Sequence, residues 1–177
     1  LARNLARTGK KVMLVDGDLR NSSLHKLFEV TNRQGLSNFL AGEEFSPALL
    51  SDVSVPGLAL VTAGPMPPNP GELLLSSRLD AFIDIATRQF DIVIMDMPPV
   101  LGIADVPLVA KAVEGVVYVV EVDGPHARQV QQSVGRIRAS NARIFGVIAT
   151  KHDHAREGYG YGYGYGYGYG RSSEAAA

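Results

Sequence analysis

The stretch Val12-Met13-Leu14-Val15-Asp16-Gly17-Asp18-Leu19-Arg20 constrains the fold more than any other part of the chain. Four consecutive apolar residues read as a short strand buried on both faces, the kind found in parallel sheets covered by helices. The strand runs straight into two aspartates separated by one glycine. In open α/β sheets, ligands gather just beyond the carboxyl ends of the strands, where this Asp-Gly-Asp falls. Carboxylates at that place suit Mg²⁺, a hard cation that prefers oxygen ligands and keeps its waters. Asp-Gly is also a common turn former, so the stretch taken alone fits a strand followed by a polar turn equally well.

A second strand with the same ending shifts the balance. Ile92-Val93-Ile94-Met95 is followed by Asp96-Met97-Pro98-Pro99. An apolar run closed by Asp, with proline soon after, has the form of a Walker B element, in which the acid holds a metal's water shell beside nucleotide phosphates. Prolines stop strands wherever they fall, so a buried strand with a capped exit is the plain alternative. Two such strands in 177 residues favour nucleotide and Mg²⁺ chemistry.

The pattern between them predicts an α/β protein. Leu1–Gly9 reads as the last turns of a helix closed by glycine. It lacks an initiating methionine and an N-cap, so the chain is expected to be a fragment that starts inside an element. Short helical pieces are expected at 24–28, 35–42 and 47–50, and a strand at 58–61. Residues 64–74 hold four of the ten prolines and are expected to form a stiff loop. One helix should then run from about Glu72 to Phe90, burying Leu73, Leu74, Leu79, Phe82, Ile83 and Ala86. Strands at 91–95, 115–120 and 144–149 alternate with helices at 104–112 and 125–139, the last with Pro125 as its first residue. Such alternation implies a mostly parallel sheet flanked by helices.

Bulk properties narrow the partners. The net charge of −1 gives no electrostatic case for a nucleic acid or an anionic membrane. Without cysteine there is neither a disulfide nor thiol chemistry. No apolar run approaches the length of a membrane span, and no signal peptide is expected. His152-Asp153-His154 reads as a solvated linker rather than a metal site, and His25 and His126 as lone surface residues.

Residues 158–170 alternate tyrosine and glycine strictly, and six of the seven tyrosines lie there: Tyr159, Tyr161, Tyr163, Tyr165, Tyr167 and Tyr169. Glycine at every second position makes ordering entropically costly, so 1–157 is expected to be the nucleotide-binding domain and 158–177 a disordered tail. Four roles are open for that tail. It is a low-complexity segment without a role, a weak self-association device, a stacking platform for single-stranded nucleic acid with few basic residues to support it, or a multi-site phosphoacceptor.

Together these pieces resemble the cytoplasmic catalytic domain of the bacterial tyrosine kinases that control capsular and exopolysaccharide export. Val12–Arg20 is similar to that family's Walker A′ motif, an apolar strand ending Asp-x-Asp-x-Arg, and Met95–Pro99 to its Walker B. Gly35-Leu36-Ser37 through Gly42, and Pro67-Pro68-Asn69-Pro70 followed by Glu72-Leu73-Leu74, are family-like as well. The resemblance implies a P-loop NTPase-like fold of the partitioning-ATPase type, with ATP and Mg²⁺ as cofactors. It implies that Asp16 orients or deprotonates the attacking tyrosine, that Asp18 and Asp96 hold Mg²⁺, and that Arg20 lies near the phosphates or braces the carboxylates. The division between base and ligand for Asp16 and Asp18 is open. Pro99 and Thr150 would border the nucleotide, and the tail tyrosines would be phosphorylated in trans around a ring of copies. Implied partners are a membrane co-polymerase or activator domain, fused or separate, other copies of the chain, and a tyrosine phosphatase, but no nucleic acid. The implied location is the cytoplasmic face of the bacterial inner membrane.

Three departures accompany the resemblance. The loop Gly-x-x-x-x-Gly-Lys-[Ser/Thr], whose amides cradle phosphates, occurs nowhere in the sequence, so the first strand and phosphate loop are expected to be missing and the fragment to turn over little. Thr150 stands where the family usually has an asparagine that reads the adenine. The tyrosines are evenly spaced by glycine rather than closely run. Two other functions compete with the kinase: a partitioning- or division-site-type ATPase switch, and a non-catalytic interaction subunit.

Overall fold

The structure, a computed structural model, describes residues 1–122 and 124–151. The His152–His154 linker and the tyrosine-glycine segment lie outside the described residues. The elements in chain order are α1 (Ala2–Ala6), β1 (Val12–Asp16), α2 (Leu24–Leu27), α3 (Leu36–Leu40), a 3₁₀ turn (Pro47–Leu49), β2 (Ser51–Asp52), β3 (Leu58–Val61), α4 (Pro70–Leu75), α5 (Ser77–Gln89), β4 (Ile92–Asp96), α6 (Asp105–Ala110), β5 (Val116–Glu121), α7 (Ala127–Ala139) and β6 (Ile144–Thr150).

One sheet has the order β2-β3-β1-β4, with β1 parallel to both neighbours and β2 antiparallel to β3. A parallel pair, β5-β6, forms a second sheet. Every residue of β1 is buried, because both its edges are paired and both its faces are covered. Met13 and Val15 join Phe39, Leu74, Phe82 and Ala86 on one face, while Val12 and Leu14 join Ala2, Ala6, Leu24 and Leu60 on the other. The unbroken apolar run at 12–15 is thus the consequence of two cores meeting at one strand.

Three expectations need correction. The helix expected over 72–90 is two helices, α4 and α5, parted at Ser76, whose backbone is extended at ψ 152°. Leu74 and Leu79 are both buried but five positions apart, about 140° around a continuous helix at about 100° per residue, so a break is needed to turn both inward. The proline run is not loop throughout, for α4 starts at Pro70, where a missing N–H costs nothing. Pro125 is not the first residue of α7, which opens at Ala127 behind His126 as its N-cap. The two-residue β2 escaped notice, being too short to carry any periodicity.

The second sheet is covered unevenly. Ser133 and Ile137 of α7 are buried, yet Val119 is 58% and Val147 57% exposed. Among the described residues β4 pairs only with β1 and β5 only with β6, so each keeps one open edge.

Candidate nucleotide and metal site

Parallel pairing of β1 with β4 sets Asp16 opposite Asp96, so the two acid-ended strands finish side by side. The ladder extends one step further, where the Gly17 N–H donates to the Asp96 carbonyl oxygen at 2.8 Å. The crossing is tight: a Cβ on Gly17 would lie 2.4 Å from Met97 Sδ and 3.1 Å from that carbonyl oxygen. A side chain at Gly17 would have to displace the Met97 thioether and press on the Asp96 carbonyl.

The three acids differ in what surrounds them. Asp16 is 1% exposed. Its Oδ2 accepts the Ser23 and Leu24 N–H groups, each at 3.0 Å, and its Oδ1 accepts the Asp18 N–H at 3.3 Å. Asp16 thereby satisfies the free amides that open α2 and ties the loop 17–23 back to β1. Asp18 is half-buried; its Oδ1 accepts the Arg20 and Asn21 N–H groups at 3.1 and 2.8 Å, leaving Oδ2 without a donor among the described residues. Asp96 is exposed, and its carboxylate likewise accepts no hydrogen bond among them. Partial desolvation raises the Asp96 pKa above the ordinary aspartate value, and the negative charges of Asp16 and Asp18 raise it further.

Arg20 is committed to a partner the sequence reading passed over. Its Nε donates to Asp105 Oδ2 at 2.8 Å and its Nη2 to Asp105 Oδ1 at 3.2 Å. Asp105 lies in the first turn of α6 with its side chain 3% exposed. An acid there reads as a favourable charge at a helix N-terminus, which hides a pairing 85 residues away.

The remaining sequence candidates sit further out. Pro99 is exposed in the loop after β4. Thr150 ends β6 in the second sheet, with Oγ1 donating to the Val120 carbonyl oxygen at 3.3 Å. The strand ends thus gather Asp16, Asp18 and Asp96 with Arg20 and Asp105 beside them, while Thr150 belongs to a sheet that shares no ladder with β4. The tail tyrosines lie outside the described residues.

Among the described residues no group of three or more acidic or histidine side chains forms a ready metal cage. Mg²⁺ needs less, since it is usually held by one or two carboxylates, waters and phosphate oxygens. Asp18 and Asp96, each with carboxylate oxygen to spare, fit that requirement.

The mostly parallel sheet, with acids at adjacent strand ends, has the fold class of the P-loop ATPases. The septum site-determining protein MinD of Pyrococcus horikoshii, solved with Mg-ADP, has the same fold, with a TM-score of 0.67 at 20% identity over 84% of this chain and 60% of that one. No protein-family model matches the chain. Among curated proteins it is 35% identical over 148 residues to a Klebsiella pneumoniae candidate tyrosine-protein kinase of the cps region, and 34% identical over 148 residues to the tyrosine-protein kinase etk of Escherichia coli K12. Each match covers 84% of this chain, which spans 20% of the length of either relative. The kinase domain of the Escherichia coli tyrosine kinase ETK superposes with a TM-score of 0.83 at 34% identity, over 93% of this chain and 65% of that domain. The chain belongs to the bacterial tyrosine-kinase family.

Proposed function

We propose that the protein is an ATP-dependent protein-tyrosine autokinase that regulates capsular or exopolysaccharide polymerisation and export. The observation that carries this reading is the registered pair of strand-end acids, Asp16 and Asp96, in a chain of this family. Asp18 and Asp96 would hold Mg²⁺. When bound, Mg-ATP supplies the phosphoryl group and the metal charge that offsets negative charge building up during transfer. Asp16 as general base for the tyrosine hydroxyl requires release from the Ser23 and Leu24 amides, because both of those hydrogen bonds occupy its Oδ2. Pro99 and Thr150 would border the nucleotide.

The phosphate-binding loop belongs, on this reading, to a further strand seated between the open edges of β4 and β5. That position would bring Thr150 to the same sheet as Asp96, and this chain alone would turn over little. The acceptors are Tyr159 to Tyr169, phosphorylated by a neighbouring copy in a ring. A membrane co-polymerase or activator domain, fused or separate, would hold the enzyme at the cytoplasmic face of the membrane, and a tyrosine phosphatase would reset it. No helix among the described residues is long and apolar enough to cross a membrane.

The test uses the full-length protein incubated with Mg-ATP, with phosphotyrosine mapped by mass spectrometry beside Asp96→Asn and Asp16→Asn variants. Phosphate on Tyr159 to Tyr169 that is lost in both variants supports the kinase. Phosphate release without tail modification would establish a partitioning-type ATPase switch instead. Absence of both nucleotide binding and turnover would leave a non-catalytic interaction subunit.

A further inference from the structure

We propose that Asp105 is a positioning residue for the metal site, acting through its two-pronged contact with Arg20. The inference rests on the kinase reading for its metal, and on geometry alone for its clamp.

The loop 17–23 carries Asp18, and nothing in its length of seven residues would by itself hold a carboxylate still. Four attachments fix it. Its first residue is bonded to Asp96, and its last amide is bonded to Asp16. Leu19 is 3% exposed and plugs into the core. The fourth attachment is Arg20, whose fork grips Asp105. Its own backbone N–H, together with that of Asn21, holds Asp18 Oδ1. Arg20 therefore links two things at one residue: its amide orients the Asp18 carboxylate, and its side chain is anchored on α6.

Asp105 is well placed to be the fixed end of that link. α6 follows the loop that leaves β4 at Asp96, so the clamp joins the loop after β1 to the segment after β4 and ties the surroundings of Asp18 and Asp96 together. The Asp105 side chain is 3% exposed while Arg20 is 44% exposed, so the acid is the buried partner and the arginine reaches in to it. The first turn of α4 also lies close to the acid, for a Cβ on Gly71 would sit 3.7 Å from Asp105 Oδ1. Planar, two-pronged geometry is what arginine offers and lysine does not, so Arg20→Lys keeps the charge and loses the fixed direction. Partners that orient a metal-binding carboxylate in this way change metal affinity when removed, without touching the metal.

The experiment compares the full-length wild-type protein with Arg20→Lys, Asp105→Asn and the double variant by two readouts. The first is hydrogen exchange of the peptide spanning residues 17–24, with α5 as an internal control. The second is Mn²⁺ affinity in the presence of ADP, read from free Mn²⁺ by electron paramagnetic resonance against a blank of ADP alone. Each single variant should speed exchange in 17–24 and weaken Mn²⁺ binding about tenfold, leaving α5 unchanged. The double variant should be no worse than the worse single one, since both remove the same contact. Wild-type exchange in 17–24 together with wild-type Mn²⁺ affinity would overturn the proposal. So would a loosening spread equally over α5, which would make the pair a general brace. Loosening confined to 17–24 in a protein whose wild type does not bind Mn²⁺ would uphold the clamp and overturn the kinase reading instead.

Discussion

β1 and β4 are written alike, four apolar residues and then aspartate, yet they end in different chemistry. β1 has a partner on each edge and a core on each face, and all five of its residues are buried. Among the described residues β4 has one paired edge, and its apolar residues are only half-buried. Position in the sheet then decides what the final acid can do. Asp16, sealed in and surrounded by amides, organises the loop that follows it. Asp96, exposed and facing two other negative charges, is left with an open carboxylate that a cation would satisfy. One motif thus ends in a buried, hydrogen-bonded acid in one strand and an exposed acid in the next.

Variants that break this contrast should differ in size. Met13→Ala should cost about 2–5 kcal/mol in urea unfolding, because it empties a fully buried site, whereas Val93→Ala, its registered neighbour on half-buried β4, should cost about 1. Asp16→Ala should cost about 2–3 kcal/mol, since it strands the Ser23 and Leu24 amides, with the loss seen first as faster hydrogen exchange in α2. Gly17→Ala should cost about 2 kcal/mol through its clash with Met97 and the Asp96 carbonyl, and Met97→Ala should recover part of it.

Asp96→Asn has the smallest effect and the opposite sign. Because folding raises the Asp96 pKa, its contribution is fully present below the ordinary aspartate range and is lost as pH rises through the raised value. The variant should therefore gain at most about 0.5 kcal/mol at neutral pH, as exposure screens the effect, and nothing at pH 3. Thermal melts at both pH values would check this, and a loss of stability at neutral pH would contradict the account of Asp96 as a carboxylate raised by desolvation and by the charges of Asp16 and Asp18.

Local chemistry in the sequence was enough to place the strands and their acids. The run 12–15 and the run 92–95 each had a single reading as strand, and both are strands ending at the expected aspartate. Features set by distant parts of the chain were not legible in the same way. The break at Ser76 follows from where the core lies, not from any strong helix breaker between Glu72 and Phe90. Asp105 carries no motif of its own, and its partner Arg20 lies 85 residues away in the chain. The different fates of Asp16 and Asp96 were likewise hidden, because strand order in the sheet decides burial and is written in neither strand.

The most direct measurement is Mg²⁺-dependent ADP binding to the full-length protein by calorimetry, wild type against Asp96→Asn. The account predicts that Mg²⁺ strengthens ADP binding in the wild type and that this strengthening largely disappears in the variant, while the melting temperature holds or rises slightly. An Asp96→Asn protein that binds ADP with the wild-type Mg²⁺ dependence would contradict the assignment of Asp96 as the open ligand of the pair.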